Sequence, residues 1–574
     1  MNRPCITLLL TTILLVACSG GDSPSSSMAE PTAPPGAQAS GKPGEEQVLR
    51  RGNGEEPQTL DPHRALGVSA ANILRDLYEG LTTETPGGRT VPGAALRWNI
   101  SRDGRTYTFN LRREARWSNG DPVTAEDFVF GFRRSADPET GSSFVHMLAP
   151  IENAEEVIAG ELPVTSLGVL ALDDHTVQIK LQASTPYFLA LLSHSATYPV
   201  HRASLALHGE AFTRPGNMIS NGAYALTDWT VRSHIEITTN PYYWEADEVK
   251  IERVIYYPIE DQFTELQRYR SGDLDWTDEV PSTQFMRLQE TMPDELVVSP
   301  WLGSNYFGFN LTRPPFKDNP DLRKALALAV DRDILTGKVT RFGERPSYGL
   351  VPAGTDNYTA HDPEWSHWTK DEREAQARRL YASAGYTEEN PLKVEIRYNS
   401  GENNKKVALA VSSMWKQVLG VHSTLINEEF RVFLQNRSQK AITEVFRAGW
   451  ISDYNDPYSF LELLYSQYGR NDTGYNNPSY DLLLQQAASE HIPASRRRLL
   501  EAAEAIAMED QPIVPLFAYV TKRLIKTQVK GWENNIMDHH YSKHMYFSAD
   551  DGDVMGDNVD REQAAAQTTP ETND

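Results

Sequence analysis

Both cysteines of this 574-residue chain, Cys5 and Cys18, lie within its first eighteen residues. Everything after them folds without a disulfide, a cysteine-ligated zinc ion or a cysteine nucleophile. Because 40% of the residues are hydrophobic, a large buried core is expected. A single core rarely serves so long a chain, so about three or four lobes are predicted.

The charge and the motif content exclude several classes of function. The chain has 55 Lys and Arg against 78 Asp and Glu, a net charge of −23, which argues against a nucleic-acid partner. The sequence has no Gly-x-Ser-x-Gly elbow, no His-Glu-x-x-His helix and no dinucleotide-binding glycine fingerprint. We therefore predict neither an enzyme nor a bound cofactor.

The N-terminus has the features of an export signal. Arg3 precedes an apolar stretch, residues 6–16, that is too short to span a bilayer. The stretch ends in Leu-Val-Ala-Cys at residues 15–18, which resembles the lipobox of bacterial lipoproteins. That resemblance implies a signal peptide at residues 1–17 and a lipidated, palmitate-bearing Cys18. The alternative is an ordinary secretory signal with a cysteine placed there by accident.

Two further segments are expected to lie outside the folded body. Residues 18–47 are rich in Ser, Pro, Gly and Ala and predict a flexible linker. Residues 550–574 carry eight acids and the single base Arg561, which predicts a disordered, solvated tail.

The body alternates strand-like and helical segments, as in mixed α/β proteins. Residues 106–111 alternate with period two and predict a strand, and Asn119-Gly120 predicts the turn after it. Thr124 with Asp127 resembles a capping box that opens a helix over 125–134. Further helical patterns occur at 321–330 behind Asn319-Pro320, at 370–384 and at 484–508.

The cluster His539-His540-x-x-x-His544 is the one histidine group that suggests a metal site. On a helix, His540 and His544 would share a face. Nearby aromatic residues make an irregular surface equally compatible, and no acid stands at a familiar ligand spacing. We predict no metal site.

Six motifs occur in an order that identifies a family. The segments are residues 59–63 (TLDPH), 75–81 (RDLYEGL), 109–128 (FNLRR into WSNGDPVTAEDF), 221–224 (NGAY), 269–273 (YRSGD) and 447–457 (RAGWISDYNDP). In this order, between about residue 48 and residue 549, they resemble the oligopeptide-binding proteins of ABC importers, in the peptide/nickel-binding group.

The resemblance implies an α/β fold of the periplasmic-binding-protein kind, type II and of the large cluster C class. Two lobes and an extra domain would close around the ligand at a hinge formed by the chain crossings near Trp301 and Tyr519. The implied boundaries are residues 48–78, 203–302 and 521–549 for lobe I, 79–202 for the extra domain and 303–520 for lobe II.

A peptide has a positive and a negative end, and a closed cleft has to compensate both charges. In the family, the aspartate of the Gly-Trp-x-x-Asp-Tyr-Asn segment pairs with the peptide amino group, which implies that role for Asp453. Arg447 and Arg437 resemble bases that receive peptide carboxylates. The alternatives are a helix-cap or turn acid for Asp453 and a surface ion pair for Arg447.

The resemblance also implies residues that line side-chain pockets, and it shows departures. The pocket-lining residues are Trp450, Phe430 and Tyr519, and the ligand-binding set further includes Asn404 and Tyr454. Asn404 stands where relatives have a histidine, and a disulfide of enteric relatives maps to Gly303 and Ile451, so both of its cysteines are absent. Leu66, Asp278 and Glu279 are further departures near the cleft.

The implied protein is an extracytoplasmic receptor, expected to be monomeric, that captures short oligopeptides and delivers them to a membrane ABC permease complex. Its lipid anchor would hold it at the periplasmic face of the inner or the outer membrane. Three alternatives remain open. They are a receptor of the same fold for a muropeptide, nickel chelate, haem or signalling peptide, an enzyme on this scaffold, and a structural lipoprotein.

Overall fold

The computed structural model describes residues 46–440 and 444–548. The predicted signal peptide, Cys18, the linker up to residue 45 and the acidic tail lie outside the described residues. Within the described part, no helix is both long enough and apolar enough to cross a membrane.

Eighteen strands form the sheets of the described part. In chain order they are β1 Val48–Gly52, β2 Thr82–Glu84, β3 Thr90–Pro92, β4 Ala95–Ile100, β5 Thr106–Leu111, β6 Val169–Asp173, β7 Thr176–Lys180, β8 Tyr224–Thr230, β9 His234–Thr239, β10 Arg253–Tyr257, β11 Leu296–Phe309, β12 Arg345–Pro346, β13 Lys393–Asn399, β14 His422–Glu428, β15 Val445–Ile451, β16 Ile513–Leu524, β17 Val529–Lys530 and β18 Tyr546–Phe547.

The α-helices of the described part pack on these sheets. They are α1 Val68–Leu77, α2 Ala125–Ala136, α3 Ala154–Ile158, α4 Phe188–Leu191, α5 Arg202–His208, α6 Gln262–Arg270, α7 Phe285–Thr291, α8 Pro320–Leu328, α9 Arg332–Ile334, α10 Lys370–Ser383, α11 Glu402–Leu419, α12 Phe430–Gln439, α13 Tyr458–Leu461, α14 Pro478–Ser489 and α15 Pro493–Asp510.

Three sheets organise the body. The first has the order β1-β10-β9-β8, in which β1 runs parallel to β10, and its strands fall in the range predicted for lobe I. The second, β4-β5-β7-β6, is antiparallel and falls in the range predicted for the extra domain. The third is the mixed sheet β12-β16-β11-β15-β13-β14 of the other lobe. This is the α/β architecture that the sequence predicted, while the domain boundaries stay predictions.

The hydrophobic cores follow from the alternation of side chains along the strands. In β11, Phe307 packs into one core of the six-stranded sheet and Tyr306 into the other, because successive residues point to opposite faces. The sheets of lobe I and of the extra domain share one continuous core, which includes Leu49 and Phe109. The extra domain is therefore packed firmly on its neighbouring lobe.

Two long strands, β11 and β16, connect the lobes. Their antiparallel ladder is regular as far as Pro300 opposite Val520 and resumes at Ser304 opposite Ala518, so residues 301–303 face Tyr519 alone. Extra residues of this kind bend a strand and increase its twist. The irregularity lies where the sequence predicted the hinge, although the hinge motion itself remains a prediction.

Most of the predicted elements are confirmed. The strand 106–111 is β5, and α2 begins after Thr124, whose N–H donates to the Asp127 carboxylate at 2.8 Å. Asn319 caps α8 by accepting the N–H of Leu322. The helical pattern over 484–508 was wrong as one element, because it spans two helices, α14 and α15, that are separated at residues 490–492. Pro493 occupies the first position of α15, where its fixed φ and missing N–H favour a new start.

Candidate functional site

Strand β15 and the turn after it present one edge of a groove. Phe446, Ala448 and Ser452 are buried, whereas the alternate positions, which include Arg447 and Asp453, are more exposed. A strand places every second side chain on the same face, so Arg447, Gly449 and Ile451 form a row along one face of β15, and Asp453, in the turn after the strand, lines the same cavity as Ile451. The base and the acid thus stand six positions apart, the base on β15 and the acid in the turn after it.

The base end of the row opens into a cavity of about 570 Å³, which we name the arginine cavity. Four of the predicted ligand-binding residues line it together: Phe430, Arg437, Arg447 and Trp450. Phe430 is the first residue of α12 and is 53% exposed, so its ring is available to a ligand. Strand β15 and helix α12 therefore bring together residues that the sequence predicted only by resemblance.

Arg447 is held by neutral groups. Its Nη2 donates to the Tyr519 hydroxyl oxygen at 2.7 Å, and its Nη1 donates to Asn399 Oδ1 at 3.5 Å. The same Tyr519 oxygen accepts a hydrogen bond from Asn305 at 2.9 Å. Among the described residues, no carboxylate lies within ion-pair distance of Arg447, and its Nε is buried without a partner. The positive charge is thus oriented but not neutralised.

Arg437 differs, because its charge is already paired. Its Nε lies 2.7 Å from Asp472 Oδ2, and its guanidinium packs 5.6 Å from the centre of the Phe433 ring. Burial raises the pKa of Asp472 and the guanidinium of Arg437 opposes that shift. Of the two predicted carboxylate receptors, Arg447 is the one with a free charge.

Tyr519 reaches Arg447 through space that a glycine leaves open. A Cβ on Gly303 would lie 2.7 Å from the Tyr519 ring and 3.0 Å from Ile451 Cγ1, closer than carbon atoms pack. Gly303 and Ile451 face each other in the register of β11 and β15. The pair that the resemblance links to a disulfide in relatives is therefore adjacent here and packed without one.

The acid end of the row faces the opposite lobe. Asp453 lines a cavity of about 200 Å³ whose other wall includes Arg75, His194 and His539. Its side chain is 36% exposed, and its nearest ionic neighbour is His146 Nε2 at 3.8 Å. Burial lowers the pKa of His194 to about 4, with the Asp453 charge opposing the shift.

The alternative role for Asp453, a turn or cap acid, is filled by a neighbour. Asp456, three residues later, accepts the N–H of Tyr458 at 2.8 Å and binds Arg496 through both oxygens, at 2.6 and 2.9 Å. No described residue donates such a bond to the Asp453 carboxylate. Within this short segment, Asp456 is therefore the buried structural acid and Asp453 is the acid that faces the groove.

Aromatic side chains link the two ends. Trp450 lines both the arginine cavity and a smaller cavity of about 190 Å³ that also contains Asp453. Its indole N–H donates to Ser459 Oγ at 3.0 Å, which fixes the ring. Tyr454 stacks on Tyr187 of the extra domain with ring centres 4.7 Å apart. The groove is consequently continuous from the acid to the base.

Asn404, a further predicted binding residue, does not line the cavities that contain Arg447 or Asp453. Asn404 donates from Nδ2 to the Asn399 carbonyl oxygen at 3.3 Å, so it reaches Arg447 only through the residue that holds that arginine. Cys18 lies outside the described residues. Leu66 is 58% exposed, and burial raises the pKa of both Asp278 and Glu279.

Sequence reasoning missed the acid Glu462 and its neighbours His146, Tyr468 and Arg470, which line the smaller cavity beside Asp453. A signal for Glu462 was available, since it interrupts the apolar run 460–464. A charge in such a run is costly to bury and therefore marks a special environment.

The histidine cluster has separate partners. His539 Nδ1 lies 2.7 Å from Glu84 Oε2, and His540 Nε2 lies 3.1 Å from Asp538 Oδ1. His544 Nε2 contacts the backbone oxygen of Glu84 at 3.3 Å. Within the described ranges, no group of three or more metal-binding side chains converges.

Two lobes connected by long strands, with a charged groove along one of them, define a protein that binds a solute between its lobes. The family described as bacterial extracellular solute-binding proteins, family 5 Middle, matches residues 89–472, and the chain belongs to this family. The chain is 41% identical to the periplasmic oligopeptide-binding protein OppA of Escherichia coli over 506 residues, which cover 88% of this chain and 93% of that protein.

Solved structures of relatives distinguish two states. The unliganded open form of the murein tripeptide binding protein MppA superposes with a TM-score of 0.82 at 38% identity, covering 88% of this chain and 98% of that one. Haemophilus influenzae OppA in complex with the peptide RPPGFSPFR gives 0.70 at 36% identity, covering 88% and 99%. The present structure is thus more similar to the open form than to the peptide complex.

Proposed function

We propose that this protein is a periplasmic receptor that binds short oligopeptides between its lobes and delivers them to an ABC importer. The observation that supports the proposal best is the row along β15. It offers Arg447, on β15, to the peptide carboxylate and Asp453, in the turn after the strand, to the ammonium. Family membership and the 41% identity to an oligopeptide-binding protein support the same ligand class.

The separation of the two charges suits a peptide of a few residues. Six residues of extended chain span at most about 20 Å, so the two charged groups are separated by no more than about that distance along the chain. An extended peptide of three to five residues is about 10–17 Å long. Backbone bonds and charged ends then supply most of the affinity, and the arginine cavity, at about 570 Å³, leaves room for varied side chains.

Lobe closure would bury Asp453, which is 36% exposed in the open form, against the peptide ammonium. A permease then distinguishes the loaded receptor by its closed shape. The proposal includes no chemical step, so the ligand leaves unchanged. Mass spectrometry of ligand released by denaturation tests both points, because it identifies the bound molecule and reveals any conversion of an added tripeptide.

A murein peptide is the second candidate ligand, because the chain is 39% identical to the murein peptide-binding protein MppA of Escherichia coli over 505 residues. A muropeptide also has a free ammonium and carboxylates, so the same groove groups would serve. Competition between Ala-Ala-Ala and a murein tripeptide for the purified protein separates the two ligands. Binding of neither would refute the proposed function.

We further propose that Cys18 carries the lipid anchor and that the receptor works as a monomer. The Leu-Val-Ala-Cys motif supports the anchor. A Cys18→Ser variant is expected to appear in the soluble periplasmic fraction and to lack the acyl mass on its N-terminal peptide. Membrane association that survives this substitution would contradict the lipid anchor.

A further inference from the structure

Glu462 occupies an unusual position beside the proposed peptide groove. It begins a short helical turn, Glu462–Leu464, directly after α13. Its carboxylate lines two adjoining cavities, the one of about 190 Å³ that contains Asp453 and a second of about 420 Å³. We name the second the tyrosine cavity, because its walls include Tyr187, Tyr454, Tyr458 and Tyr468.

The tyrosines surround the acid without neutralising it. The ring of Tyr187 stacks on Tyr454 at 4.7 Å and lies 6.1 Å from Tyr458. Glu462 lines the same cavity as all four tyrosines. Burial raises the pKa of each tyrosine, and the Glu462 charge adds to the shift. None of the described residues donates a hydrogen bond to the Glu462 carboxylate or forms an ion pair with it.

Arg470 is the nearest cation, and it does not form an ion pair with Glu462. It is exposed, and its guanidinium packs 5.5 Å from the centre of the Trp450 ring. Burial raises the pKa of Glu462 to about 8, which the Arg470 charge only partly offsets. Glu462 therefore lies against an aromatic-walled cavity with only part of its charge compensated.

An acid beside four aromatic rings is a suitable environment for a cationic side chain of a ligand. Aromatic faces attract ammonium and guanidinium groups, and a carboxylate at the end of an aromatic pocket adds a charged partner. The long methylene stem of lysine or arginine can lie along the tyrosine rings while its charged end reaches the acid. An uncharged side chain of the same length packs on the tyrosine rings in the same way but cannot form the ion pair with the acid.

We propose that Glu462 selects peptides with a lysine or arginine at the first or second position, whose side chain enters the tyrosine cavity. The position follows from the proposed function, because Asp453 would hold the peptide ammonium in the cavity that Glu462 also lines. Side chains near the amino end are then the ones within reach.

The test compares charged and uncharged side chains of similar length. Purified full-length protein and its Glu462→Gln variant are titrated calorimetrically with Lys-Ala-Ala, Ala-Lys-Ala, Ala-Ala-Lys and the three norleucine analogues. Wild type is expected to favour lysine over norleucine at least tenfold at pH 9 at position one or two, and the variant is expected to lose that preference. Glu388→Gln, an exposed acid of the same lobe, is the matched control and should behave as wild type.

The pH dependence adds a second readout. With a pKa of about 8, roughly one Glu462 carboxyl in eleven is ionised at pH 7, so the preference for lysine should fall about tenfold from pH 9 to pH 7. The peptide ammonium titrates equally in both ligands and cancels in the ratio. Other titratable groups around Glu462 are the four tyrosines, Asp453, His146 and Arg470 in the two cavities, and Asp456, which is paired with Arg496. Any pH dependence that persists in Glu462→Gln belongs to them.

The outcomes separate this inference from the proposed function. Binding of Ala-Ala-Ala to the wild type supports the function whatever Glu462 does. If Glu462→Gln weakens lysine and norleucine peptides equally, or if lysine is preferred only at position three, the inference is wrong and the function stands. If no tripeptide binds the wild type, the function fails and the inference fails with it.

Discussion

The two aspartates of the segment after β15 provide a sharp test of the proposed site. Asp453 faces the groove with its side chain 36% exposed and a single ionic neighbour, His146, at 3.8 Å. Asp456 is paired with Arg496, and both side chains are at most 10% exposed. Asp453→Asn and Asp456→Asn make the same chemical change three residues apart, with opposite expected consequences.

The structure sets the size of each effect. An exposed, loosely paired acid contributes little to folding, so Asp453→Asn is expected to change the free energy of unfolding by less than about 0.5 kcal/mol. Losing one partner of a charged pair that becomes buried on closure costs about 2–5 kcal/mol of binding, which is about 30- to several-thousand-fold in affinity. Asp456→Asn leaves Arg496 buried without its partner and should lower the free energy of unfolding by about 3–5 kcal/mol.

Two measurements decide the matter. Chemical denaturation gives the stability of both variants, and calorimetry gives their affinity for Ala-Ala-Ala and for its N-acetylated form. Wild type should bind the acetylated peptide far more weakly than the free one, and Asp453→Asn should reduce that discrimination to near unity. Equal affinity of wild type for the two peptides would refute ammonium pairing. Wild-type affinity of Asp453→Asn would assign this acid to another role.

Three further predictions concern the base end and the pH dependence of stability. Arg447→Gln should weaken calorimetric binding of peptides with a free carboxylate and leave binding of C-amidated peptides unchanged. Arg437→Gln should change the ratio of these two affinities less, because the charge of Arg437 is already paired. An equal change of the ratio in both variants would contradict this assignment. Tyr519→Phe removes a hydrogen bond to Arg447 and should cost about 1 kcal/mol of binding free energy for free-carboxylate peptides alone. An equal loss of binding free energy for amidated peptides would instead indicate that Tyr519 acts through packing. Burial raises the pKa of Glu265 from 4.5 to about 8, so the folded state binds the extra proton between these values and its stability falls as pH rises. From pH 5.5 to 7.5, denaturation should show wild type losing about 2.5 kcal/mol of unfolding free energy relative to Glu265→Gln. Exposed Glu260→Gln is the control, and parallel curves for wild type and Glu265→Gln would exclude this effect.

Local patterns predicted much of the architecture. The capping acid Asp127, the alternation in β5 and the proline of Asn319-Pro320 each act within a few residues, so their consequences are visible in the sequence. The break between α14 and α15 was equally local, and Pro493 was its signal. The overlooked break shows that periodicity alone does not locate helix ends, because two helices can share one apolar pattern.

The candidate site was only partly predictable. The resemblance supplied both Arg447 and Asp453, and the period of the strand accounts for the face on which Arg447 lies. The sequence did not show that Arg437 is paired, because its partner Asp472 comes from a different segment. Nor did the sequence show that Glu462 lines the same cavity as Tyr187, which lies 275 positions earlier in the extra domain.

The sequence by itself determined the class of protein and the alternating strands and helices, and its resemblance to the family supplied the candidate acid Asp453 and the candidate base Arg447. These depend on motifs and on neighbours within a few residues. Only the tertiary structure decided which charges are free and which are compensated, separating Asp453 from Asp456 and Arg447 from Arg437. The state of a buried charge depends on solvent exposure and on partners brought in from distant segments, and neither is encoded at the residue itself.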